Sequence, residues 1–383
     1  MFPELDLWLK IVLAIAAAFI IAFLMTPQAK KFAEAVGAVD KPNERRVNKV
    51  PIPRLGGIAV FLGFMISLLL FADTDRQILG IVLGAIIVAA GGLVDDIVNL
   101  KPWIKLLIQI VAAVVTIRCG VVLDGISALN DNTVYLGKGL AVVITLIWIV
   151  GCTNAVNLID GLDGLAAGST MISAASMLAV SLMVPANPNV SIILAALIGA
   201  CGGFLPYNIH PAKIFLGDVG AQLLGYVLAA ASLLGLFKMH AVVTMIIPVL
   251  ALAVPIADTV FAFVRRLFKG QSPFKADKGH FHHRLLALGL SHKQVVLVLW
   301  GAAAMFALIG ILIVGQTTAT KWIIVAAMLI VAALIWLVFM RNPKLQAKLE
   351  KQKAERAAEE DNDVKIYSGK QINKENKQEG KNQ

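Results

Sequence analysis

The sequence predicts an all-α integral membrane protein with about eleven transmembrane helices. The chain has 383 residues, of which 58% are hydrophobic and 15% are charged, and its mean hydropathy is +0.81. A typical soluble domain carries about 25% charged residues. Apolar stretches near the length that crosses a bilayer recur along most of the chain. These observations exclude a disordered protein and argue against a water-soluble globule.

Eleven apolar stretches are predicted to cross the bilayer. In chain order they cover residues 7–25, 55–72, 78–94, 103–117, 139–153, 165–184, 190–207, 219–237, 241–264, 295–314 and 322–340. The first is interpreted as a transmembrane helix rather than a signal peptide, because Lys30 and Lys31 follow it and no A-x-A cleavage site ends it. The polar segments between the stretches are too short for a large soluble domain.

Basic residues are distributed unevenly between the two predicted sides of the membrane. Alternate connections carry 28 Lys and Arg on one side and 6 on the other. Because cytoplasmic loops are enriched in Lys and Arg, we expect the N-terminus outside and the C-terminus in the cytoplasm. The net charge of +10 is then explained by topology, and nucleic acid is not an expected partner.

This orientation defines one polytopic domain over residues 1–340 and a tail over 341–383. The cytoplasmic loops of the domain are predicted at 26–54, 95–105, 152–165, 207–218 and 265–294. The tail is rich in Lys, Glu, Gln and Asn, and we expect it to be basic, polar and largely disordered in the cytoplasm.

Polar residues near membrane depth form five clusters. They are Asp95-Asp96; Asn154, Asn157, Asp160 and Asp163; Asn208 and Asp218; Asp258; and His280, His282, His283 and Arg284. Ionisable groups inside a membrane are costly and are usually functional. All five clusters map to the cytoplasmic side, so a single composite site is favoured over unrelated solvated helix ends.

Asp95 and Asp96 end the third predicted span. Two adjacent carboxylates repel each other unless a cation neutralises them. Lys101 and Lys105 lie nearby in the sequence. A Mg²⁺ ion is the other expected partner, because it prefers carboxylate oxygens together with substrate phosphates.

The run from Asn154 to Gly164 repeats a polar residue at every third position. Three residues turn an α-helix by about 300°, so an unbroken helix would place Asn154 and Asp163 on opposite faces. We predict that the helix ends near Asp160, where Gly161 and Gly164 relax the backbone. The amides and carboxylates would then converge on one cavity. A capping role would explain one carboxylate but not four regularly spaced polar groups.

Asp218 begins the eighth predicted span, three residues after Phe215. At this position Asp218 is either a helix cap or a group that serves metal or anion chemistry. The Phe215 ring either stacks on a base or belongs to the core. The sequence alone leaves both alternatives open.

Three histidines and an arginine follow one another in His280-Phe-His-His-Arg284. Three histidines are able to bind zinc, but no acidic or cysteine ligand motif accompanies them. The three cysteines lie far apart in the sequence, which excludes a disulfide scaffold and a paired-cysteine zinc site. Lys275 and Lys278 make the segment strongly positive, so a phosphate or diphosphate is the better-matched partner.

Together these groups suit the transfer of a phosphosugar to a membrane lipid phosphate, which needs mainly positioning and charge neutralisation. The sequence resembles the polyprenyl-phosphate N-acetylhexosamine-1-phosphate transferases of bacterial cell-envelope synthesis. The resemblance covers roughly residues 37–295. It rests on Asp40-Lys-Pro-Asn-Glu-Arg45, Pro53-Arg-Leu-Gly-Gly57, Asp95-Asp96, Pro102 to Gln109, Asn154 to Gly164, Phe215-Leu-Gly-Asp218 and His280-Phe-His-His283.

The resemblance implies that an undecaprenyl-phosphate oxygen attacks the β-phosphorus of a UDP-N-acetylhexosamine and that UMP leaves. It implies Mg²⁺, with Mn²⁺ as an alternative ion, held by Asp218 with Asp95 and Asp96 beside it. Either of these two residues would accept a proton from the lipid phosphate or position charge. Positioning is favoured because a phosphate monoester is largely ionised near pH 7.

The resemblance also assigns the remaining site residues. Asp160 and Asn157 would line the metal-diphosphate site, and Lys105 would contact phosphate. Phe215 would stack on uracil while Asn208 and Asp163 bond its edge. His282 is assigned to catalysis, and His283 and Arg284 to binding the diphosphate or the sugar. Asn154, His280 and Arg265 complete the substrate-binding set, although Arg265 would equally pair with Asp258.

Within the family, His280-Phe-His-His-Arg284 is similar to the motif of the N-acetylglucosamine-1-phosphate branch, which starts teichoic acids, O-antigens and related polymers. The expected substrates are therefore UDP-GlcNAc and undecaprenyl phosphate at the cytoplasmic face of a bacterial inner membrane, and a homodimer is left open. Asn48 departs from the histidine often found there in the family. A phospho-MurNAc-pentapeptide or other HexNAc transferase, an intramembrane prenyltransferase and a transporter are the alternatives.

Overall fold

The computed structural model describes residues 5–40, 51–123, 125–127, 133–183, 187–236, 249–250, 252–268, 281–314, 317–341 and 347. Twelve helices follow one another along these residues: α1 Leu7–Ala35, α2 Gly57–Phe71, α3 Arg76–Val98, α4 Pro102–Arg118, α5 Lys138–Ile159, α6 Leu165–Met183, α7 Pro188–Asn208, α8 Gly217–Ala231, α9 Ala253–Phe268, α10 Phe281–Ala287, α11 His292–Val314 and α12 Thr318–Met340. A π-helical turn, Ser232–Leu236, continues α8.

Two small antiparallel ribbons lie outside the helices. Strand β1, Val39–Asp40, pairs with β2, Ile52–Pro53. Strand β3, Gly125–Ser127, pairs with β4, Thr133–Tyr135. Neither ribbon is long enough to add a layer, so the protein is all-α in its architecture.

Eight helices in the described part of the chain are long and apolar enough to cross a membrane: α1, α3, α5, α6, α7, α8 with its π-helical turn, α11 and α12. This confirms an all-α, multi-pass membrane protein. The helix α2 is a shorter apolar helix of 15 residues, and α4 has 17. Part of the ninth predicted span, 241–248, lies outside the described residues, as does nearly all of the tail 341–383. The count of eleven and the orientation stay predictions.

Several predicted loops are partly helical. The helix α1 continues past residue 25 to Ala35, α3 includes Asp95 and Asp96, and α5 runs on to Ile159. The predicted loops 26–54, 95–105 and 152–165 therefore each include several helical residues. In α3 the reason is that Asp95 and Asp96 are buried, at 2% and 1% exposure, so they continue the helix without reaching water. The prediction that α5 ends near Asp160 is confirmed.

The helix α8 lies at the centre of the bundle, because 89% of the residues in its apolar segment Gly217–Leu234 are buried. Helix α1 crosses α7 at Gly199 and Gly203, where an added Cβ would lie 2.2 Å from the carbonyl oxygens of Ile15 and Phe19. Small residues of this kind allow membrane helices to approach closely. The helix α12 lies at the edge of the bundle, since only 6% of the residues in its most apolar segment are buried.

The segment before α2 docks on the segment before α8 through the backbone. The Phe215 N–H donates to the Pro53 carbonyl over 2.8 Å, and the Gly56 N–H donates to the Phe215 carbonyl over 2.9 Å. A Cβ on Gly57 would lie 2.1 Å from the Gly220 nitrogen. The two glycine-containing motifs therefore bring the starts of α2 and α8 together.

Candidate active site

Asp218 lies in the first turn of α8, where side chains from three other helices meet it. The Asn157 Nδ2 of α5 donates to Asp218 Oδ1 over 2.7 Å. The Lys105 Nζ of α4 lies 3.5 Å from the same oxygen. Lys105 also forms an ion pair with Asp95 of α3. Four of the residues singled out in the sequence are thus in one cluster around Asp218.

Asp96 lies on the other side of the cluster and is 1% exposed. Its Oδ2 accepts from the Val219 N–H over 3.1 Å. The guanidinium of Arg54 lies 3.8 Å from Asp96 Oδ1, and its Nε donates to the Asp96 carbonyl over 3.0 Å. Arg54 was not among the predicted site residues, although it belongs to the Pro53 to Gly57 motif that was noted. Its contact with Asp96 makes it part of the site.

Gly217 allows this close approach. Its φ is +73°, and a Cβ there would lie 2.1 Å from the Arg54 carbonyl oxygen and 2.5 Å from Asp96 Oδ2. Glycine adopts a positive φ without steric cost and leaves this space open. A side chain at this position would therefore separate Arg54 and Asp96 from the start of α8.

The three carboxylates Asp95, Asp96 and Asp218 fit a divalent cation. Oxygen ligands of this kind are the ones that Mg²⁺ prefers. Lys105 and Arg54 bring two positive charges to these three carboxylates, so one negative charge is left for a cation when all three are ionised. The residues present are thus chemically suited to the predicted metal.

Asp160 caps the end of α5 beside this cluster. Burial, together with the negative charges of Asp218, Asp96 and Asp163, raises its pKa to about 8. Both causes disfavour the charged form of the carboxyl group, so a cation bound nearby would favour its ionised form.

Asn154 does not reach the carboxylates. It lies about one turn before Asn157 on α5, and its Nδ2 donates to Gln109 Oε1 over 2.6 Å. The Gln109 Nε2 in turn donates to Gln222 Oε1 of α8 over 3.1 Å. Asn157 and Asp160 of the 154–164 run therefore lie at the carboxylate cluster, whereas Asn154 does not. Asn154 belongs instead to an amide network that links α4, α5 and α8.

Asp163 is bound by residues of two other segments. Its Oδ2 accepts from the Ala212 N–H over 3.1 Å and lies 2.7 Å from His210 Nδ1. Its own N–H donates to His292 Nε2 over 2.9 Å. His210 and His292 were not predicted as site residues, because neither belongs to a polar repeat in the sequence. These contacts tie the end of α5 to the α7–α8 connection and to α11.

The ligand atoms of Asp163, His210 and His292 all lie within 4.8 Å of one another. Such a trio is able to hold a metal ion, but the two imidazole rings are stacked, with centroids 4.2 Å apart and an interplanar angle of 19°. A metal bound by two imidazoles lies near the plane of both rings. Stacked, nearly parallel rings do not offer such a point, so we interpret the trio as a hydrogen-bonded tie.

Asn208 also links the segment after α5 to the α7–α8 connection. Its Oδ1 accepts from the Gly164 N–H over 3.0 Å, and its Nδ2 donates to the Ile214 carbonyl over 3.0 Å. Both ends of its amide are thus bonded to the backbone. The role of Asn208 and Asp163 in binding a uracil edge stays a prediction.

We expect replacement of His292 by Leu to destabilise the protein by about 1–3 kcal/mol, because the Asp163 N–H would lose its acceptor while staying partly buried. His292→Gln, which keeps an acceptor, is the matched control and is expected to retain more of the stability. The measurement is thermal unfolding of both variants in the same detergent. Equal melting temperatures for the Leu variant and the wild type would contradict this role.

His282 is 4% exposed and lies against the backbone of Gly161, where a Cβ would be 2.7 Å from His282 Nε2. The ring of His283 is 4.3 Å from that of His282, centroid to centroid. Arg284 is exposed, with its guanidinium 5.4 Å from the Phe261 ring centroid. The start of α10 is therefore next to the end of α5, as a composite site requires.

Other predicted site residues are placed less fully. Phe215 is partly exposed, and its backbone is bonded to Pro53 and Gly56. Asp258 is 3% exposed in α9. His280 lies outside the described residues, as does the side chain of Arg265.

Comparison with known proteins gives matches along most of the chain. The model of "Glycosyl transferase family 4" matches residues 78–236. A probable undecaprenyl-phosphate N-acetylglucosaminyl 1-phosphate transferase of Bacillus subtilis is 38% identical over 82% of this chain and 87% of its own length. A decaprenyl-phosphate N-acetylglucosaminephosphotransferase of Mycobacterium tuberculosis is 38% identical over 74% of this chain and 77% of its own length. A phospho-N-acetylmuramoyl-pentapeptide-transferase of Rubrobacter xylanophilus is 32% identical over 79% of this chain and 96% of its own length.

Proposed function

This chain belongs to glycosyl transferase family 4, among the polyprenyl-phosphate N-acetylhexosamine-1-phosphate transferases, and from this premise we propose its reaction. It transfers N-acetylglucosamine 1-phosphate from UDP-N-acetylglucosamine to undecaprenyl phosphate. An oxygen of the lipid phosphate bonds to the β-phosphorus, the bond from that phosphorus to the bridging oxygen breaks, and UMP leaves with the bridging oxygen. The product is undecaprenyl-diphosphate-N-acetylglucosamine.

The cluster around Asp218 is the observation that carries the proposal. Asp218, Asp95 and Asp96 would hold a divalent cation, Mg²⁺ or Mn²⁺, which neutralises negative charge on the diphosphate and the leaving group. Asn157 orients Asp218 by its hydrogen bond to Oδ1. Arg54 balances the charge of Asp96 from the opposite side.

Lys105 is positioned to contact either the carboxylates or a phosphate oxygen of the substrate. Its Nζ contacts both Asp95 and Asp218, so it bridges two helices. A flexible ammonium group is able to turn from a carboxylate to a phosphate oxygen without a change in the backbone. We assign Lys105 to the diphosphate, where its positive charge stabilises the negative charge that develops on transfer.

The acceptor phosphate does not need a strong base, because it is largely ionised near pH 7. Asp95 and Asp96 act by positioning charge. Asp160 and His282 line the side of the site toward the end of α5. His283 and Arg284 follow His282 on α10, where a sugar or phosphate would approach from the aqueous side.

In this function the site faces the cytoplasm at the bacterial inner membrane. The excess of basic residues on one set of connections supports this orientation. A site at the rim of the helix bundle gives the lipid phosphate access from the bilayer and the nucleotide sugar access from the cytoplasm.

The test incubates the purified full chain with undecaprenyl phosphate and one of three donors: UDP-GlcNAc, UDP-GalNAc or UDP-MurNAc-pentapeptide. Each reaction is run with Mg²⁺, with Mn²⁺ or with EDTA, and UMP and UDP are separated by chromatography. We expect UMP from UDP-GlcNAc only, and only with a divalent cation. Release of UDP, UMP formation in EDTA, or a preference for the pentapeptide donor would contradict the proposal.

A further inference from the structure

Three amide side chains form a layer next to the carboxylate cluster, about one helical turn further into the bundle. This amide layer consists of Gln109 of α4, Asn154 of α5 and Gln222 of α8. Each amide is three or four residues from a residue of the site on the same helix, in the pairs Lys105 and Gln109, Asn157 and Asn154, and Asp218 and Gln222. Residues at this spacing lie on the same face of a helix. The amide layer therefore connects the three helices that carry Lys105, Asn157 and Asp218.

The hydrogen bonds of the amide layer all pass through Gln109. Its Oε1 accepts from Asn154 Nδ2 over 2.6 Å, and its Nε2 lies 3.4 Å from Asn154 Oδ1. The same Nε2 donates to Gln222 Oε1 over 3.1 Å. Gln109 and Gln222 are each 2% exposed, so bulk water does not compete for these bonds. A change at Gln109 would therefore release α4 from both α5 and α8 at this level.

The buried face of α4 makes this helix dependent on the amide layer. Its buried residues are Gln109, Ala112, Ala113 and Thr116. Apolar contacts have no direction, so two alanine methyl groups restrict sliding and rotation of α4 less sharply than a hydrogen bond does. Thr116 bonds to Tyr226 of α8 over 2.6 Å, but it lies about 16 Å along the helix axis from Lys105. Of the four buried residues, Gln109 is thus the directional contact nearest to Lys105.

The contact between α5 and α8 also needs a directional partner. The two helices approach closely at Gly225, where a Cβ would lie 2.6 Å from the Cys152 carbonyl oxygen. A glycine allows such an approach, but by itself it does not fix how far one helix has moved along the other. The amide layer links α5 and α8 less than one turn from this contact, on the side of the site.

Stability alone does not explain why polar side chains occupy this layer. Hydrogen bonds between membrane helices add modestly to stability. Each amide would be costly if it lost its partner, whereas apolar side chains of similar size would pack without that risk. What bonded amides add is a fixed distance and direction between helices, as a buried Asn does when it sets the register of a coiled coil.

We infer that the amide layer positions the site: it fixes the register of α4, α5 and α8 so that Lys105, Asn157 and Asp218 meet at the distances that the transfer requires. The inference rests on the proposed function, to which it adds three positioning residues that act through their helices and not on the substrate. A displacement of about 1 Å at a reacting group is enough to lower a rate by about 100-fold. A loosened α4 would therefore reduce turnover without unfolding the protein.

Two substitutions on α4 test the inference by kinetics. Gln109→Met and Thr116→Val each remove a buried bond to α8, but only the first bond lies next to the site. We expect Gln109→Met to lower kcat for UMP release by at least about tenfold, with KM for UDP-GlcNAc within about threefold of the wild type. Thr116→Val is expected to keep kcat within about twofold, because its bond is distant from Lys105. Equal losses of turnover in the two variants would overturn the inference.

A triple variant separates positioning from the mere pairing of buried polar groups. It combines Gln109→Met, Asn154→Leu and Gln222→Met, so none of the three amides is left without its partner. We expect its melting temperature to lie above that of Gln109→Met alone. Turnover is expected to stay at least about tenfold below the wild type, because no directional contact replaces the layer. Turnover that recovers to the wild-type level would show that the amides only satisfy one another.

Hydrogen–deuterium exchange gives a readout that does not depend on the reaction. We expect the backbone amides of residues 103–109 and 152–159 to exchange at least about threefold faster in Gln109→Met than in the wild type, and at the wild-type rate in Thr116→Val. Unchanged exchange in Gln109→Met would contradict a loss of register.

The two proposals fail in different ways. If the wild-type chain releases no UMP, the proposed function fails, and the exchange measurement alone decides whether the amide layer holds the helices. If UMP is released but Gln109→Met keeps wild-type turnover, the function stands and the positioning role is wrong.

Discussion

Replacement of Asp218 by Asn is expected to reduce UMP release by at least about 100-fold, the range typical for loss of one preorganised electrostatic contact. The Asn side chain has nearly the same shape and still accepts a hydrogen bond from Asn157 Nδ2. It lacks the negative charge that would hold a divalent cation and that Lys105 now faces. The loss is therefore expected in turnover and cation dependence and not in folding.

The measurement is UMP release at saturating substrates over a range of Mg²⁺ concentrations, with thermal unfolding as the check on folding. Asp73→Asn is the matched control, because Asp73 is an exposed carboxylate paired with Lys10 over 3.4 Å at the other end of the helices. We expect that control to stay within about twofold of the wild type, as for most exposed surface changes. An Asp218→Asn variant with more than about a tenth of wild-type turnover would contradict the metal role.

The centre of the site was predictable from the sequence because each member ends or begins an apolar span. Asp96, Lys105 and Asp218 all lie within one turn of a helix end or just beyond a span. Because consecutive spans cross the membrane in opposite directions, the end of α3, the start of α4 and the start of α8 are predicted on the same side of the membrane. The structure adds that these three residues also lie next to one another. Asn157 and Asp218 are 61 residues apart in the chain but 2.7 Å apart in space.

Other features depend on contacts that sequence periodicity does not encode. Arg54 belongs to a short loop motif, and its role follows from the backbone docking that brings α2 to α8. His292 begins an ordinary apolar helix and is defined as a site residue only by its bond to Asp163. Asn154 was grouped with its neighbours by spacing, but its side chain bonds to Gln109 of α4 and not to the carboxylates.

The ends of α1 and α3 lie beyond the ends of the predicted spans. A hydropathy pattern ends a span at the first polar residue, whereas a helix ends where its backbone hydrogen bonds end. Asp95 and Asp96 are polar but buried, at 2% and 1% exposure, so they continue α3 without reaching water. Buried carboxylates of this kind therefore lie within the helix, although a hydropathy pattern ends the span before them.

Replacement of Lys105 by Met is the second change with a large expected effect. Met keeps the length and apolar stem of the side chain and removes the charge that bridges Asp95 and Asp218. We expect UMP release to fall by at least about 100-fold, because the diphosphate loses a cationic contact. We also expect the variant to bind Mn²⁺ more tightly, since a fixed positive charge within about 4 Å of the carboxylates no longer opposes the cation.

The expected loss of UMP release and the expected gain in Mn²⁺ affinity have opposite signs. General damage to the site would lower both quantities, so the pair of measurements distinguishes it from a role of Lys105 in charge balance. Mn²⁺ binding is measured directly by electron paramagnetic resonance, and turnover by UMP release in the same preparation. Lys101→Met removes the same charge from the exposed residue that precedes α4, and it is expected to change neither quantity by more than about twofold. Weaker Mn²⁺ binding together with lost turnover in Lys105→Met would mean that Lys105 holds the carboxylates in place. Tighter binding with lost turnover would mean that the ammonium and the cation share the same carboxylates, and that Lys105 acts on the diphosphate itself.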